Sequence, residues 1–192
     1  MKDNEGVSPS RLIVPPSGRV TAHCFRLLPG EQLMAALKQT ASVVLSRLSS
    51  STKAAFVITC VGSVQRATLR LANSSKETGN DIKQYEQKFE IVSLTGTFST
   101  DTGCHVHICL ADAEGNAIGG HLIEAEIFTT CEIVLGTADS VEFRRTMDDV
   151  TGYNELEVSQ MATKREFWNI AGRVALVCGL AMLMSTKLKP AR

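Results

Sequence analysis

Three of the four histidines in the chain lie close together, in the stretch CHVHICLADAEGNAIGGHL that runs from residue 104 to residue 122. They are His105, His107 and His121. A neutral imidazole offers a nitrogen lone pair to a metal ion, and three imidazoles can hold one divalent ion with metal–nitrogen bonds of about 2.0–2.1 Å. The three rings form such a site only if the elements that carry them bring the ring nitrogens to one place.

The first two histidines lie on a predicted strand over residues 104–111. Successive side chains of a strand point to opposite faces, so Val106 and Ile108 face the core while His105 and His107 share the other face. The next residues, DAEGN, indicate a tight turn, because Asp suits the first position of a type I turn and Gly suits a left-handed position. The chain is then expected to return as a strand antiparallel to the first.

The third histidine joins the other two if this hairpin is centred on Glu114. That register places His107 directly opposite His121, with His105 diagonal to it. Directly opposed residues lie on the same face with Cβ atoms about 5 Å apart, whereas a slip of one residue would send His121 to the opposite face. The spacing therefore predicts a divalent metal site, zinc by default, with water or a carboxylate as the fourth ligand.

Two glutamates and two glycines near the histidines are candidate supporting residues. Glu126 and Glu132 fall on the polar side of a predicted strand over 125–136, and we expect them to supply a carboxylate ligand or to orient a histidine from behind. Gly119 and Gly120 permit a close backbone approach or a bend that aims His121 inward.

The same pattern has an alternative interpretation without metal. An H-x-H pair is common in strands, and half-buried histidines often only pack and hydrogen-bond. His23, the fourth histidine, is expected to be structural. No catalytic residue is predicted, because the chain has no G-x-S-x-G, no H-E-x-x-H and no evident acid–base carboxylate pair.

The surrounding pattern predicts the elements that position the hairpin. Apolar residues at helical spacing predict an amphipathic helix over 31–48. About seven strands are predicted, within 20–28, 54–64, 65–72, 85–98, 104–111, 117–123 and 125–136, and residues 141–147 are a candidate for a last edge strand. Residues 65–72 are expected to be the hairpin partner of 54–64, and a bulge is expected near residues 91–92. Most connections are too short for parallel crossovers. The prediction is an α+β (α/β) fold, a single, largely antiparallel sheet with the long helix packed on one face.

The composition excludes some classes of partner and compartment. Lys+Arg and Asp+Glu are 20 each, so a formal charge of zero gives no overall attraction to nucleic acid or to an anionic membrane. The six cysteines form no C-x-x-C pair and the first ten residues are polar, so we expect reduced thiols in the cytoplasm or nucleus and no signal peptide.

Two segments lie outside the predicted domain. Residues 1–19 are predicted to be a flexible leader, and residues 148–192 a C-terminal tail with an apolar helix over 167–184. The uninterrupted apolar run, residues 174–184, is shorter than the about 20 residues of a membrane span. The prediction is an amphipathic helix docked on a partner, with a membrane tail anchor as the alternative.

Several stretches together resemble the plant and prokaryote conserved (PPC) domain over about residues 20–147, in the order of that family. They are FRLLPGEQLMAAL (25–37), VGSVQRATLRLA (61–72), YEQKFEIVSLTGTF (85–98), CHVHICLADAEGNAIGGHL (104–122) and CEIVLG (131–136). The resemblance implies a single domain with an antiparallel sheet and a long helix, assembly into homotrimers and, as in some bacterial members, metal binding by histidines that match His105, His107 and His121.

The plant branch of that family, the AT-hook nuclear-localised proteins, joins the domain to a DNA-binding R-G-R-P hook and recruits protein partners. This sequence contains no such hook, so direct DNA binding is not expected. The partner-binding motif of the plant branch, G-R-F-E-I-L, corresponds to residues 87–92, where only Phe89, Glu90 and Ile91 are kept.

The leading prediction is therefore a homotrimeric interaction module, cytoplasmic or nuclear, with the histidines as a metal site. We expect the sheet face that carries Phe128, Val134 and the histidines to lie at or near the subunit contacts. One alternative is a small metal-dependent enzyme that uses the same three histidines with an open coordination position. Another is a transcription-associated scaffold that acts through protein partners.

Overall fold

The computed structural model describes residues 15–47, 52–73, 79–101 and 103–161. The apolar helix predicted over 167–184 and most of the leader predicted over 1–19 lie outside these ranges. Within them, no helix combines the length and the apolar character that a membrane crossing requires.

One α-helix and eight β-strands make up the described ranges. They are β1 (Val20–Leu27), α1 (Leu33–Arg47), β2 (Ala54–Arg70), β3 (Ile82–Tyr85), β4 (Phe89–Ser99), β5 (Cys104–Ala111), β6 (Ala117–Ala138), β7 (Val141–Met147) and β8 (Asn154–Gln160). Every pairing between these strands is antiparallel. The predicted class, a largely antiparallel sheet with one long helix, is confirmed, with one strand more than expected.

The main sheet closes on itself. Its strands follow the order β1-β6-β5-β4-β2-β3, and β6 also pairs with β2. The pairings β2–β4, β4–β5, β5–β6 and β6–β2 thus form a ring. This is feasible because β6 is long: one of its edges pairs with β2, and the other pairs with β5 near its start and with β1 near its end. The ring fixes the histidine hairpin between two neighbouring strands.

Two of the predicted strand boundaries are wrong. The predicted hairpin of 54–64 with 65–72 is the single strand β2, and the predicted strands 117–123 and 125–136 are the single strand β6. Their pairing contains several register shifts, among them one between Gly62 and Val64. A bulge changes the face of the apolar residues without ending the strand, so the changes of phase in the sequence mark bulges and not turns. The bulge predicted near residues 91–92 is confirmed by a shift between Ile91 and Ser93.

The main apolar core joins α1 to the ring of strands. Leu33, Leu37 and Ala41 of the helix are buried in the same cluster as the inward side chains of β1, β2, β4, β5 and β6. Burying each leucine is worth about 1.5–3 kcal/mol. Val106 and Ile108 of β5 also belong to this core, so the outward side chains of β5 are free to form a site.

The hairpin of β7 and β8 forms a separate two-stranded sheet. The predicted edge strand 141–147 is β7, and β8 lies in the segment predicted as tail. Asp101, which follows β4, accepts a hydrogen bond from the backbone N of Arg145 at 3.0 Å, and the guanidinium of Arg145 donates to Thr97 Oγ1 at 2.8 Å. These two bonds hold β7 beside the outer face of β4.

The five described cysteines are free thiols. Two of them, Cys60 on β2 and Cys131 on β6, are buried with their sulfur atoms 3.3 Å apart. The hydrogen bond to Cys131 and burial both raise the pKa of the Cys60 thiol. Cys60 is therefore a protonated core residue with little nucleophilic character.

Candidate metal centre

The hairpin of β5 and β6 has the predicted register, with His107 directly opposite His121 and Ala111 opposite Ala117. The turn between them is closed by Asp112, whose side chain accepts hydrogen bonds from the backbone N of Glu114 and of Asn116 at 3.1 and 2.8 Å. Because this turn fixes the register, it also fixes which residues face the histidines.

The three imidazole rings converge on one point. Their ligand nitrogens all lie within 4.8 Å of one another, and His105 Nε2 is 3.0 Å from His107 Nε2. The ring centroids are 4.8 to 5.5 Å apart. Nitrogens at about 2.0–2.1 Å from a tetrahedral metal are themselves about 3.3 Å apart. Small side-chain rotations would therefore bring the three nitrogens to coordination distance.

One ring nitrogen of His121 is left unsatisfied by the part of the chain that the structure describes. This Nδ1 atom is buried and has no hydrogen-bond partner there. Such an orphaned nitrogen is expected in a ring that coordinates an ion when the protein is loaded, and it fits the residues to a metal site.

Burial keeps two of the rings neutral. It lowers the pKa of His121 to about 4, assisted by the positive charge of Arg70. Burial also lowers the pKa of His105, and the charges of His107 and Arg145 add to this effect. Only neutral imidazole binds a metal, so these rings are ready to act as ligands at physiological pH.

Two glycines make the convergence sterically feasible. A Cβ atom on Gly120 would lie 2.7 Å from the carbonyl oxygen of Arg70, and one on Gly119 would lie 2.8 Å from the carbonyl oxygen of Ile108. Such contacts are too close for any side chain. The pair lets β6 lie tightly against β2 and β5 just before His121, in agreement with the close approach expected from the sequence.

An open cavity of about 580 Å³ lies against the histidines. Its wall includes Arg70 and Arg145, and β8 contributes Glu155. No pattern in the sequence assigned these three residues to the site. Arg70 is placed here by its pairing opposite His121, and Arg145 by the fold of β7 onto β4. Both depend on contacts between distant segments, for which the sequence carries no local signal.

The predicted supporting glutamates lie elsewhere. Glu126 forms an ion pair with Arg66 at 2.9 Å and accepts hydrogen bonds from Gln65 and Gln32. Glu132 is exposed and lies opposite Arg26 of β1. The group of residues able to hold a metal in the described ranges consists of the three histidines alone.

The remaining predicted residues have structural settings. His23 Nε2 is 3.0 Å from Thr137 Oγ1, near the other end of β6. Phe89 and Ile91 of the plant-type motif are 3% and 6% exposed and belong to the core, whereas Glu90 is exposed. Only Glu90 of these three side chains can reach a partner without unfolding β4.

Fold and site together define a small antiparallel β domain that carries a three-histidine cluster on a hairpin of its closed sheet. The Plants and Prokaryotes Conserved (PCC) domain matches residues 16–139, and the chain belongs to this family. The resemblance to the PPC domain drawn from the sequence is thereby confirmed.

Two curated relatives are much longer than this chain. The bifunctional protein GlmU of Synechococcus sp. (strain JA-3-3Ab) is 39% identical over 77% of this chain and 22% of its own length. The AT-hook motif nuclear-localized protein 13 of Arabidopsis thaliana is 32% identical over 52% of this chain and 22% of its own length. The chain thus spans about a fifth of the length of the curated relatives it matches.

Solved structures share the fold over almost their full length. A hypothetical protein of Salmonella cholerae-suis is 28% identical with a TM-score of 0.68, covering 77% of this chain and 99% of that one. A metal-containing protein of Archaeoglobus fulgidus is 25% identical with a TM-score of 0.60, covering 76% and 99%. A plant- and prokaryote-conserved protein of Pyrococcus horikoshii, 21% identical, covers 78% and 100% with a TM-score of 0.63.

Proposed function

We propose that this protein is a homotrimeric PCC-domain interaction module that binds one divalent metal ion per chain, zinc by default, through His105, His107 and His121. The observation that carries the metal site is the convergence of one ring nitrogen from each of the three histidines. The buried Nδ1 of His121, which has no hydrogen-bond partner among the described residues, agrees with it. The metal-containing protein of Archaeoglobus fulgidus, which has the same fold, supports the proposal.

The alternative interpretation, in which the three rings only pack against one another, leaves the buried Nδ1 atom of His121 unsatisfied. A buried polar atom without a partner destabilises a fold by about 1–3 kcal/mol. A metal ion coordinated by His121 offsets that cost. Held by the three histidines, the ion would supply Lewis-acid chemistry beside the cavity.

The proposed trimer is supported by apolar surface on the sheet. Ile58 and Val61 of β2 are 47% and 60% exposed, and Val134 of β6 is half-buried beside them. We call Ile58, Val61 and Val134 the outer apolar patch. It lies near the end of β6, away from His121. The proposed contact therefore keeps Val134 of the face expected from the sequence, but not Phe128 or the histidines.

The place of action is proposed from the plant relative. The AT-hook motif nuclear-localized protein 13 supports a nuclear location. A fluorescent fusion of the whole chain tests this: enrichment in the nucleus agrees with the proposal, and exclusion from the nucleus contradicts it.

The metal site is tested by replacing one ligand and one control histidine. We expect purified wild-type protein to bind one zinc ion per chain, and added zinc to raise its melting temperature at pH 7.5, because ligands that bind only the folded state stabilise it. His107→Ala should lose both effects, since His107 faces His121 and is two residues from His105. His23→Ala is the matched control and should keep both.

Two readouts decide the outcome. Elemental analysis measures the metal content, and a thermal melt with and without zinc measures the stabilisation. A metal-free wild-type protein whose melting temperature does not respond to zinc at pH 7.5 would leave the three histidines as a packing cluster only.

A further inference from the structure

We propose that the cavity beside the histidines binds a small anionic molecule, whose carboxylate or phosphate group is held by Arg70 and Arg145. The proposal rests on the proposed metal site for one point only, namely that the ligand also reaches the bound ion. The guanidinium contacts stand independently of the metal.

Arg70 is aligned with the histidines by the sheet itself. It lies directly opposite His121 in the pairing of β2 with β6. Directly opposed residues of antiparallel strands share a face, so Arg70 extends the row of His107 and His121 onto the next strand. The first strand of the row is β5, the second β6 and the third β2.

Arg145 approaches from the opposite side of the cluster. Its guanidinium donates to Thr97 Oγ1 at 2.8 Å, and Thr97 lies directly opposite His105 in the pairing of β4 with β5. Arg145 therefore lies next to His105, as Arg70 lies next to His121. Two cations flank the three rings.

The guanidinium of Arg145 has donors to spare. Arginine carries five N–H donors, and the bond to Thr97 uses one of them. Its Nε atom is buried and has no hydrogen-bond partner among the described residues. Among the ion pairs within residues 15–47, 52–73, 79–101 and 103–161, none involves Arg70 or Arg145. A planar guanidinium with unused N–H donors can bind a carboxylate or a phosphate through two parallel hydrogen bonds.

The charge and size of the cavity agree with a small anion. Its wall carries two arginines against one carboxylate, Glu155. A divalent ion on the histidines would add two further positive charges. The volume of about 580 Å³ lies within the range of about 300–1,000 Å³ typical of small-molecule sites. The cavity can thus hold a molecule larger than a single inorganic ion.

Arg145 belongs to a segment beyond the family match. The PCC domain matches residues 16–139, whereas β7 and β8 cover Val141–Met147 and Asn154–Gln160. This hairpin supplies Arg145 and Glu155 to the cavity wall. One of the two arginines and the opposing carboxylate thus come from an element outside the family match, whereas Arg70 lies within that match.

The experiment titrates two probes, succinate and methyl phosphate, into zinc-loaded and metal-free protein and measures binding by calorimetry. We expect at least one probe to bind, and more tightly to the zinc-loaded form. Arg145→Gln and Arg70→Gln should each weaken binding by about ten- to hundredfold, the usual effect of losing a hydrogen bond to a charged group. The probe that binds more tightly assigns the anion as carboxylate or phosphate.

Two further variants make the test specific. Arg144→Gln is the matched control: its side chain is on the other face of β7 and pairs with Glu142 at 3.0 Å, so binding should not change. Glu155→Gln removes the opposing charge and should tighten binding. If circular dichroism shows that Arg145→Gln is unfolded, Arg145→Lys takes its place in the test. Lysine keeps the positive charge but lacks the planar guanidinium, so we expect a loss of binding of about tenfold.

Failure of this proposal and failure of the metal site are distinguishable. Zinc uptake without binding of either probe, or equal weakening by Arg144→Gln and Arg145→Gln, overturns the anion site and leaves the metal site standing. Probe binding that depends on Arg145 in a protein that takes up no zinc supports the anion site and overturns the metal site.

Discussion

At the residue scale, the protonation of His121 links the site to the stability of the fold. Burial lowers the pKa of His121 from 6.5 to about 4. Below pH 6.5 the unfolded chain therefore binds a proton that the folded chain excludes. The free energy of unfolding should decrease as the pH falls from 6.5 towards 4, because the unfolded state binds more protons there.

This dependence can be assigned to one side chain. In metal-free protein, thermal melts between pH 7.5 and pH 4 should show a falling melting temperature for wild type and a flatter profile for His121→Gln. Asp101 does not confound this window: the hydrogen bond from Ser99 lowers the pKa of its carboxyl below 3.8, so its contribution is lost at lower pH. Identical profiles for the two proteins would refute the assignment.

The close approach at Gly120 gives a second prediction at this scale. Gly120→Ala places a methyl group 2.7 Å from the carbonyl oxygen of Arg70, so β6 must move away from β2. We expect a loss of about 1–3 kcal/mol, typical of overpacking, and weaker zinc binding, since His121 follows directly. Ala117→Ser, at an exposed position of the same strand, is the control. Chemical denaturation and zinc titration measure the two effects.

At the element scale, a side chain from the sheet fixes the start of the helix. Glu124 of β6 accepts hydrogen bonds from the backbone N of Met34 at 2.7 Å and of Ala35 at 3.3 Å. Both amides belong to the first turn of α1, which lacks intrahelical acceptors. The carboxylate also interacts favourably with the positive end of the helix dipole.

Glu124→Ala should therefore destabilise the protein by about 0.5–2 kcal/mol, the range for loss of an N-terminal cap. Urea denaturation measures the change. Glu114→Ala is a matched control, because Glu114 lies at the exposed tip of the histidine hairpin and engages its neighbours through its backbone N. Equal destabilisation by the two variants would show that Glu124 does not cap α1.

Local sequence patterns predicted those elements whose conformation is determined by residues within one short segment. The turn signal of Asp112 and Gly115 fixed the hairpin register, and the register placed His107 opposite His121. Apolar spacing likewise predicted α1 within a residue or two at each end. The chemistry of these elements is decided by residues close in the chain, so the sequence alone is sufficient.

The features that the sequence did not show depend on contacts across the fold. The continuity of β2 and β6 through their bulges is stabilised by their pairing with each other and not by local propensity. Arg145 reaches the histidines only because β7 is held on β4 through Thr97 and Asp101. The sequence thus predicted the three ligands, whereas the cavity around them required the folded chain.

At the scale of the whole molecule, the outer apolar patch is the proposed subunit contact. Val61 is 60% exposed and Ile58 is 47% exposed on a strand that is central to the fold. Specific interfaces bury about 800 Å² per partner, and their apolar centre contributes most of the binding energy. With zero formal charge, the chain opposes self-association only weakly.

Light scattering on the wild-type protein at micromolar concentration should give the mass of three chains, and a monomer would contradict the proposal.

Val61→Asp should dissociate the assembly, because a carboxylate buried without a partner in an interface is strongly unfavourable. The monomer of this variant, prepared without metal, should still take up zinc. Val61 of β2 lies opposite Glu132 towards the end of β6, whereas His121 lies near the start of β6. Val150→Asp is the control: Val150 is 95% exposed in the turn before β8, and the same new charge there should leave the trimer intact. Dissociation by both variants would show that added charge, and not loss of the outer apolar patch, separates the chains.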